Sequence, residues 1–223
     1  MAVPRRKIER IALQEQAYEL LKERVLDRGY AADEKLNIDA LSRELHVSST
    51  PIREALGRLA AEGLVRARPF VGFAVAPMPS HEHFEQLFEL RLVVEPWAAS
   101  RTALRRPPAI LAELEAAVAA MAQGRLARHY RRFRDFSEAD EAFHRAILEG
   151  TGNAPAVKAY CDLRIHLHLS RLYISREQNA SVTHREHLAI FEAIRAGNAD
   201  QAAARMREHL VLSRSKLLED PTH

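Results

Sequence analysis

Between Ile38 and Val65 the chain reads IDALSRELHVSSTPIREALGRLAAEGLV, two short amphipathic helical patterns joined by a tight turn. Ile38, Leu41 and Leu45 share one face of the first, and Ile52, Ala55, Leu56 and Leu59 share one face of the second, because residues three and four apart stack along a helix. His46 and Val47 carry the turn. Ser48 stands at the N-cap of the second helix, Pro51 suits its first turn, and Gly63 marks its end. Upstream, Gln14 to Arg28 reads as a supporting helix with Ala17, Leu20, Leu21 and Val25 on one side and Gly29 closing it. This is the grammar of a helix-turn-helix, whose second helix lies in the major groove of a DNA duplex.

Two brief strands follow, Leu64–Arg68 and Gly72–Val75, around a turn holding Pro69 and Gly72, so the expected unit is a winged helix. Arg66 and Arg68 place positive charge on the wing, where phosphate contacts position a protein without reading bases. Bulk charge says little, since residues 1–79 hold 13 Lys/Arg against 11 Asp/Glu. Distribution says more: Arg5, Arg6, Lys7 and Arg10 form a basic arm, and Arg53, Arg58, Arg66 and Arg68 cluster on the proposed reading side. Residues 1–8 are expected to be a solvated, disordered arm. A small packed subdomain with no DNA role is the alternative reading of the whole segment.

Ala76-Pro77-Met78-Pro79-Ser80 is a proline-interrupted connector, placing a boundary near residue 79 between a first domain, 1–79, and a second, 80–223. Beyond it the chain is rich in alanine and leucine with almost no strand signal. Helices are expected near 81–104, 109–123, 125–134, 137–149, 155–175, 181–196 and 199–218, the first kinked at Pro96. The fold class is therefore mostly α, an N-terminal winged helix-turn-helix and a C-terminal all-helical bundle of six to seven helices. A single cysteine, Cys161, allows no intrachain disulfide and reads as a buried thiol without a chemical role. The basic start leads into an amphipathic helix, and no apolar run approaches the ~20 residues that span a bilayer. The expected setting is the cytoplasm, with no membrane partner.

Histidine placement carries the chemistry of the second domain. Asp140 and His144 share one helix face and can hold one metal ion together, although Ser137-Glu138-Ala139-Asp140 also reads as a helix start. His187 and His209 stand on either side of a break at Gly197-Asn198-Ala199-Asp200, with Asn198 midway. Two antiparallel helices hinged there bring them level, each about 15 Å from the hinge at ~1.5 Å per residue. Three histidines and one aspartate then converge at the centre of the bundle on one divalent metal per subunit, suited to Zn, Ni, Mn or Fe. His166 and His168, two apart, face different directions. His81, His83 and His129 read as surface residues, and His184 as an exposed neighbour of His187. An open metal position also invites a metal-dependent hydrolase or oxygenase, with Glu141 or Glu186 as base. Against it, each glutamate is adjacent to a ligand and turns about 100° away around its helix. No nucleotide loop or nucleophile motif accompanies them. A ligand-independent architectural DNA-binding protein is a further alternative.

Val47-Ser48-Ser49-Thr50-Pro51-Ile52-Arg53-Glu54-Ala55-Leu56, closing in Glu62-Gly63-Leu64-Val65, resembles the recognition segment of GntR-type transcription regulators. Ser49 stands where that family usually has an arginine, losing a bidentate guanine contact worth about 1–3 kcal/mol of discrimination. Glu89-Leu90-Arg91-Leu92-Val93-Val94-Glu95-Pro96, Asp140 to His144, Gly152-Asn153, Glu186-His187 and His209-Leu210 together resemble the FCD effector domain of the FadR-like subfamily. The resemblance implies a homodimer on a short palindromic double-stranded operator, and a divalent metal held by Asp140, His144, His187 and His209. It also implies a small organic-acid effector, with repression relieved by ligand as the usual sense. Arg53 is expected to reach DNA first, helped by Arg43, Ser48, Ser49, Thr50, Arg58, Arg68 and Gly72, with a solvated Arg58 as the alternative. Arg91 and Arg164 are the candidates for the effector's second charge, the alternative being an arginine bridged to Glu95 or Asp162.

Overall fold

A computed structural model describes residues 5–123, 130–173 and 180–218. Its contacts divide the chain into two compact units, Met1–Met78 and Pro79–His223.

The first unit holds helices α1 (Arg5–Leu26), α2 (Ile38–Glu44) and α3 (Ser49–Ala61) with strands β1 (Lys35–Leu36), β2 (Val65–Arg68) and β3 (Gly72–Val75). Helix α1 begins at Arg5, well before Gln14, so residues 5–8 are helical where a disordered arm was expected. Residues 5–13 contain neither glycine nor proline, so nothing in them stops the helix. The side chains of Arg5, Arg6, Lys7 and Arg10 lie outside the described ones. Leu20, expected in the core, is 44% exposed, and Tyr18 takes its place at 2%. The helix ends through Arg28, at φ 57°, with the Gly29 amide donating back to the Arg24 carbonyl.

Asn37 caps α2, its side-chain oxygen accepting from the amides of Asp39 and Ala40. His46 turns the chain with a φ of 53°, and Ser48 occupies the N-cap of α3 without making the expected side-chain bond. Gly63, at φ 76°, ends the element as its position implied. The hairpin pairs Val65 with Val75 and Arg68 with Gly72, and β1 adds to the other edge of β3, giving the antiparallel order β1-β3-β2. Two residues carry no periodicity, so β1 left no signal in the sequence. Leu21, Ile52, Leu56, Leu59 and Leu64 form the buried centre.

The second unit comprises α4 (His81–Arg105), α5 (Pro108–Gln123), α6 (Tyr130–Gly150), α7 (Ala154–Asp162), α8 (Ile165–Tyr173), α9 (Ala180–Arg195) and α10 (Ala199–Leu218). Helix α4 continues through the buried Pro96 and packs against α10, α6 and α9, while α5 covers α6 and α9. Two expectations are corrected. Residues 130–134 and 137–149 belong to the single helix α6, so Ser137 is interior and caps nothing; residues 125–129 lie outside the described ones. The expected helix 155–175 is instead α7 and α8, broken at Leu163–Arg164, where Arg164 adopts a φ of 50°. At Gly150 an added Cβ would sit 2.6 Å from Thr102 Oγ1, and that hydroxyl donates to the Ile147 carbonyl at 2.7 Å. This close approach locks α6 against α4, the two helices that supply most of the polar centre.

Candidate metal centre and nucleic-acid interface

Five helices of the second unit send ionisable side chains into its core, all buried: Arg91 and Glu95 from α4, Asp140 and His144 from α6, His166 from α8, His187 from α9 and His209 from α10. The ligating atoms of His144, His187 and His209 lie within 4.8 Å of one another, as do those of Asp140, His144 and His166. Asp140 Oδ1 is 3.1 Å from His187 Nε2 and 3.9 Å from His144 Nε2. The helix-face argument for Asp140 and His144 and the hinge argument for His187 and His209 thus lead to one place.

Each of the three inward imidazoles has its other nitrogen facing an acceptor. His144 Nδ1 donates to Glu95 Oε2 at 2.6 Å, His187 Nδ1 to the Thr183 carbonyl at 2.8 Å, and His209 Nδ1 to Glu186 Oε2 at 2.9 Å. A carbonyl or carboxylate can only accept, so each Nδ1 carries a proton and Nε2 of the neutral ring is a lone pair. His144 Nε2 and His187 Nε2 are 3.3 Å apart, and both face Asp140. Lone pairs and a carboxylate brought that close favour positive charge beside them, which the Arg91 guanidinium supplies 3.5 Å from His144 Nε2 and which a metal cation would supply at the centre. The donor set of three imidazoles and a carboxylate, each imidazole held by an outer partner, suits a divalent ion of the Zn, Ni, Mn or Fe type.

Electrostatics agree with the neutral rings. Burial drives the His144 imidazole down to about 3 against the opposing pull of Glu95, and burial likewise lowers His209. Burial pushes the Glu95 carboxyl upward, but Arg91 and His144 outweigh it and hold it well below the usual carboxylate range. Asp140 is held low in the same way, burial being overcome chiefly by the hydrogen bond from His166.

His166, set aside by the sequence reading, belongs to the centre: its Nδ1 donates to Asp140 Oδ2 at 3.0 Å. Its Nε2 lies 3.2 Å from Tyr160 Oη, and that hydroxyl donates to Glu95 Oε1 at 2.6 Å. A chain of polar contacts therefore runs Asp140, His166, Tyr160, Glu95, His144. The residue spacing showed only that His166 and His168 point apart; the break at Arg164 decides which one turns inward. Glu186 also has a part that its position beside His187 concealed, since it joins His209 to Lys216.

The two effector candidates separate. Arg91 is buried, its Nε 2.5 Å from Glu95 Oε1, and its Nη2 reaches to 3.5 Å from His144 Nε2. The bridge to Glu95 that the sequence left open is thus formed, Nη2 also donating to Glu95 Oε2 at 3.4 Å. Arg164 is exposed at the α7–α8 break, and the structure does not bring it to the cluster. His81 and His83 are exposed and His184 half-buried, whereas His129 lies outside the described residues.

In the first unit, Ser49, Thr50, Arg53 and Gly57 share the exposed face of α3, with Ser48 at its start and Arg43 exposed on α2. Arg58 is turned about 140° away from Arg53, at ~100° per residue. Its guanidinium stacks 3.6 Å from the Tyr18 ring centroid and pairs with Glu15 at 2.8 Å. In this arrangement Arg58 ties α3 to α1. Glu62, buried, accepts from the Tyr18 hydroxyl at 2.8 Å, which explains the acid of the Glu62-Gly63 motif. On the wing, Arg66 is exposed, Arg68 is paired with Asp33, and Gly72 opens β3 at a φ of 104°.

Comparison with known proteins agrees with both units. Residues 13–75 match the model of the bacterial regulatory proteins of the gntR family, and residues 86–212 match the FCD domain. An uncharacterised HTH-type transcriptional regulator in an unstable DNA locus of Streptomyces ambofaciens is 31% identical over 86% of this chain and 80% of its own. The galactonate operon transcriptional repressor of Escherichia coli K12 is 27% identical over 82% of this chain and 86% of its own. Among solved structures, E. coli McbR/YncC superposes with a TM-score of 0.67 over 93% of this chain and 97% of that one, at 18% identity, a likeness of fold.

Proposed function

This chain belongs to the FCD-domain group of the GntR family of bacterial transcription regulators, and on that premise we propose that it is a cytoplasmic, homodimeric repressor whose helical domain senses a small carboxylate at a divalent metal. DNA binding by the winged helix and the presence of an effector domain follow from the family, which is one of regulators and not of enzymes. The metal and the carboxylate are the finer reading.

The observation that carries it is the inward set of Nε2 lone pairs around Asp140, with each Nδ1 bound outward. Asp140, His144, His187 and His209 would hold the ion, which when bound supplies positive charge and open positions for a carboxylate. His166 fixes Asp140, and Glu95, Thr183 and Glu186 fix the three rings. Arg91, bridged to Glu95 and beside His144, would add positive charge that attracts a second acidic group of the ligand. The relative named for a galactonate operon, whose namesake is a hydroxy acid, is consistent with that chemistry.

The dimer reading rests on α4. Leu90, Val93, Trp97 and Leu104 are exposed and repeat at seam-like spacing on the side of the helix opposite its buried Phe84, Phe88, Arg91 and Glu95. Two copies related by a two-fold axis would cover that strip and present two readers to the half-sites of a short palindrome. Effector binding must then favour one arrangement of the readers, since a ligand with equal affinity for both shifts nothing.

A thermal-shift panel of small mono- and dicarboxylates, run with and without prior chelation, tests the site. An acid at 100 times its dissociation constant stabilises the chain by about 2.7 kcal/mol, and chelation abolishes the effect. A shift that survives chelation, or none from any acid with metal present, overturns the metal-borne reading.

A further inference from the structure

His166 is a buried imidazole outside the four residues on which the metal reading rests, and it faces the same aspartate. Its Nδ1 lies 3.0 Å from Asp140 Oδ2, while Asp140 Oδ1 is turned to His187 Nε2 at 3.1 Å. The two carboxylate oxygens therefore look toward different helices, Oδ1 toward α9 and Oδ2 toward α8. The ligating atoms of Asp140, His144 and His166 come within 4.8 Å of one another, and so do those of His144, His187 and His209; the two groups overlap at His144. The His144 and His166 ring centroids are 4.8 Å apart.

Donor atoms ~2.1 Å from one divalent ion lie about 3.0–3.5 Å apart when their bonds meet at about 90–110°. The Asp140–His166 contact at 3.0 Å has that spacing, as do Asp140–His187 at 3.1 Å and His144–His187 at 3.3 Å. The His166 ring is also held from behind, as the other three are. Tyr160 gives its single hydroxyl proton to Glu95 Oε1 at 2.6 Å, which leaves Tyr160 Oη an acceptor for His166 Nε2–H at 3.2 Å. With Nε2 protonated, the neutral ring presents the Nδ1 lone pair beside Asp140 Oδ2. An ion there takes the place of the proton that Nδ1 and Oδ2 share in its absence.

We propose that the centre holds a second, overlapping seat for a divalent cation, made by Asp140 Oδ2, His144 and His166, beside the seat made by Asp140 Oδ1, His144, His187 and His209. Both seats draw on His144, so one ion occupies one or the other. The four-donor seat is the stronger, and the three-donor seat retains the ion when α9 and α10 give it up. An ion that changes seats releases His187 and His209 and engages α8, which follows the left-handed Arg164. The inference rests on the metal reading of the centre.

The probe is zinc, titrated into the full chain in competition with a chromophoric chelator, with circular dichroism as the check of folding. His187→Gln combined with His209→Gln removes two donors of the first seat and leaves the second intact. This double variant retains one equivalent of zinc, and adding His166→Gln lowers its affinity by more than the ~10- to 100-fold that loss of an outer partner costs. With copper(II), pulsed electron paramagnetic resonance shows coupling to two imidazoles in the double variant and to one in the triple variant. A folded double variant that binds no zinc, or whose affinity or imidazole count is indifferent to His166, overturns the seat. If the double variant does not fold, the cycle of His187→Gln and His166→Gln decides: the seat makes loss of His166 about tenfold or more costlier when His187 is absent. Equal costs in both backgrounds mean that His166 only positions Asp140, and they overturn the seat. A wild-type chain that binds no zinc removes the metal reading as well, whereas zinc bound by wild type and lost from the folded double variant removes the second seat alone.

Discussion

Glu95→Gln separates the roles assigned to the polar centre. The carboxylate accepts from His144 Nδ1 at 2.6 Å, fixing the tautomer that turns Nε2 inward, and it neutralises the buried Arg91 at 2.5 Å. An amide of the same shape can present its NH₂ to His144 and release the tautomer. Loss of such an outer partner lowers metal affinity about 10- to 100-fold. At a metal concentration 100 times the wild-type dissociation constant, the ion stabilises the wild-type chain by about 2.7 kcal/mol. With affinity reduced 10- to 100-fold at the same concentration, the increment falls to between about 1.4 and 0.4 kcal/mol. Stranding Arg91 in the core costs the metal-free protein about 3–5 kcal/mol in addition. Denaturant unfolding with and without zinc reads both quantities, and the double variant Arg91→Met with Glu95→Gln removes the stranded charge while keeping the tautomer defect. A metal increment equal to wild type in both variants would refute the reasoning that Glu95 orients His144.

Arg53→Ala weakens operator binding by about 5- to 150-fold, the scale of one bidentate contact, and leaves Tm almost unchanged; fluorescence anisotropy and thermal unfolding check the pair. Arg58→Ala does the reverse, costing about 1 kcal/mol of stability through the lost stack on Tyr18 with little change in DNA affinity, and a selective loss of binding would return Arg58 to the reading face. Tyr18→Phe leaves Glu62 without its buried donor and destabilises the winged helix by about 1–3 kcal/mol in chemical unfolding, whereas a neutral effect would mean that water replaces the hydroxyl. The metal-free chain loses stability as pH falls from about 6.5 toward 3, because the unfolded chain takes up the His144 proton that the fold refuses until about 3. The low-held Glu95 and Asp140 act in the same sense below the ordinary carboxylate range, since their contribution is lost as pH falls through their folded values. A Tm that rises on acidification between about 6.5 and 4.5 would instead mean that the centre gains protons on folding.

The reader unit was legible because its signals are local. Apolar spacing, Pro51, Gly63 and the alternation of the wing each act within a few residues, and the structure departs from them only at edges. Asn37 rather than Ser48 makes a capping bond, β1 is too short to show, and α1 starts earlier because no breaker precedes Gln14. Arg58 was ambiguous from sequence since its partners Tyr18 and Glu15 lie on another helix.

In the helical unit, two kinds of regularity carried the site as far as four residues. The helical period joins Asp140 to His144, and the symmetric placement of His187 and His209 about Asn198 joins α9 to α10. What completed the centre depends on how separate helices meet. Arg164 in left-handed backbone breaks the expected 155–175 helix and re-aims His166 at Asp140. The packing of α4 on α6, close enough that Gly150 meets Thr102, brings Glu95 beneath His144. Sequence by itself determined which residue types recur at helical spacing, and hence the winged reader, the helical bundle and the core donor set. Tertiary structure alone decided which polar side chains surround those donors, because these partners lie 23 to 53 positions away and are selected by helix crossings that no local pattern encodes.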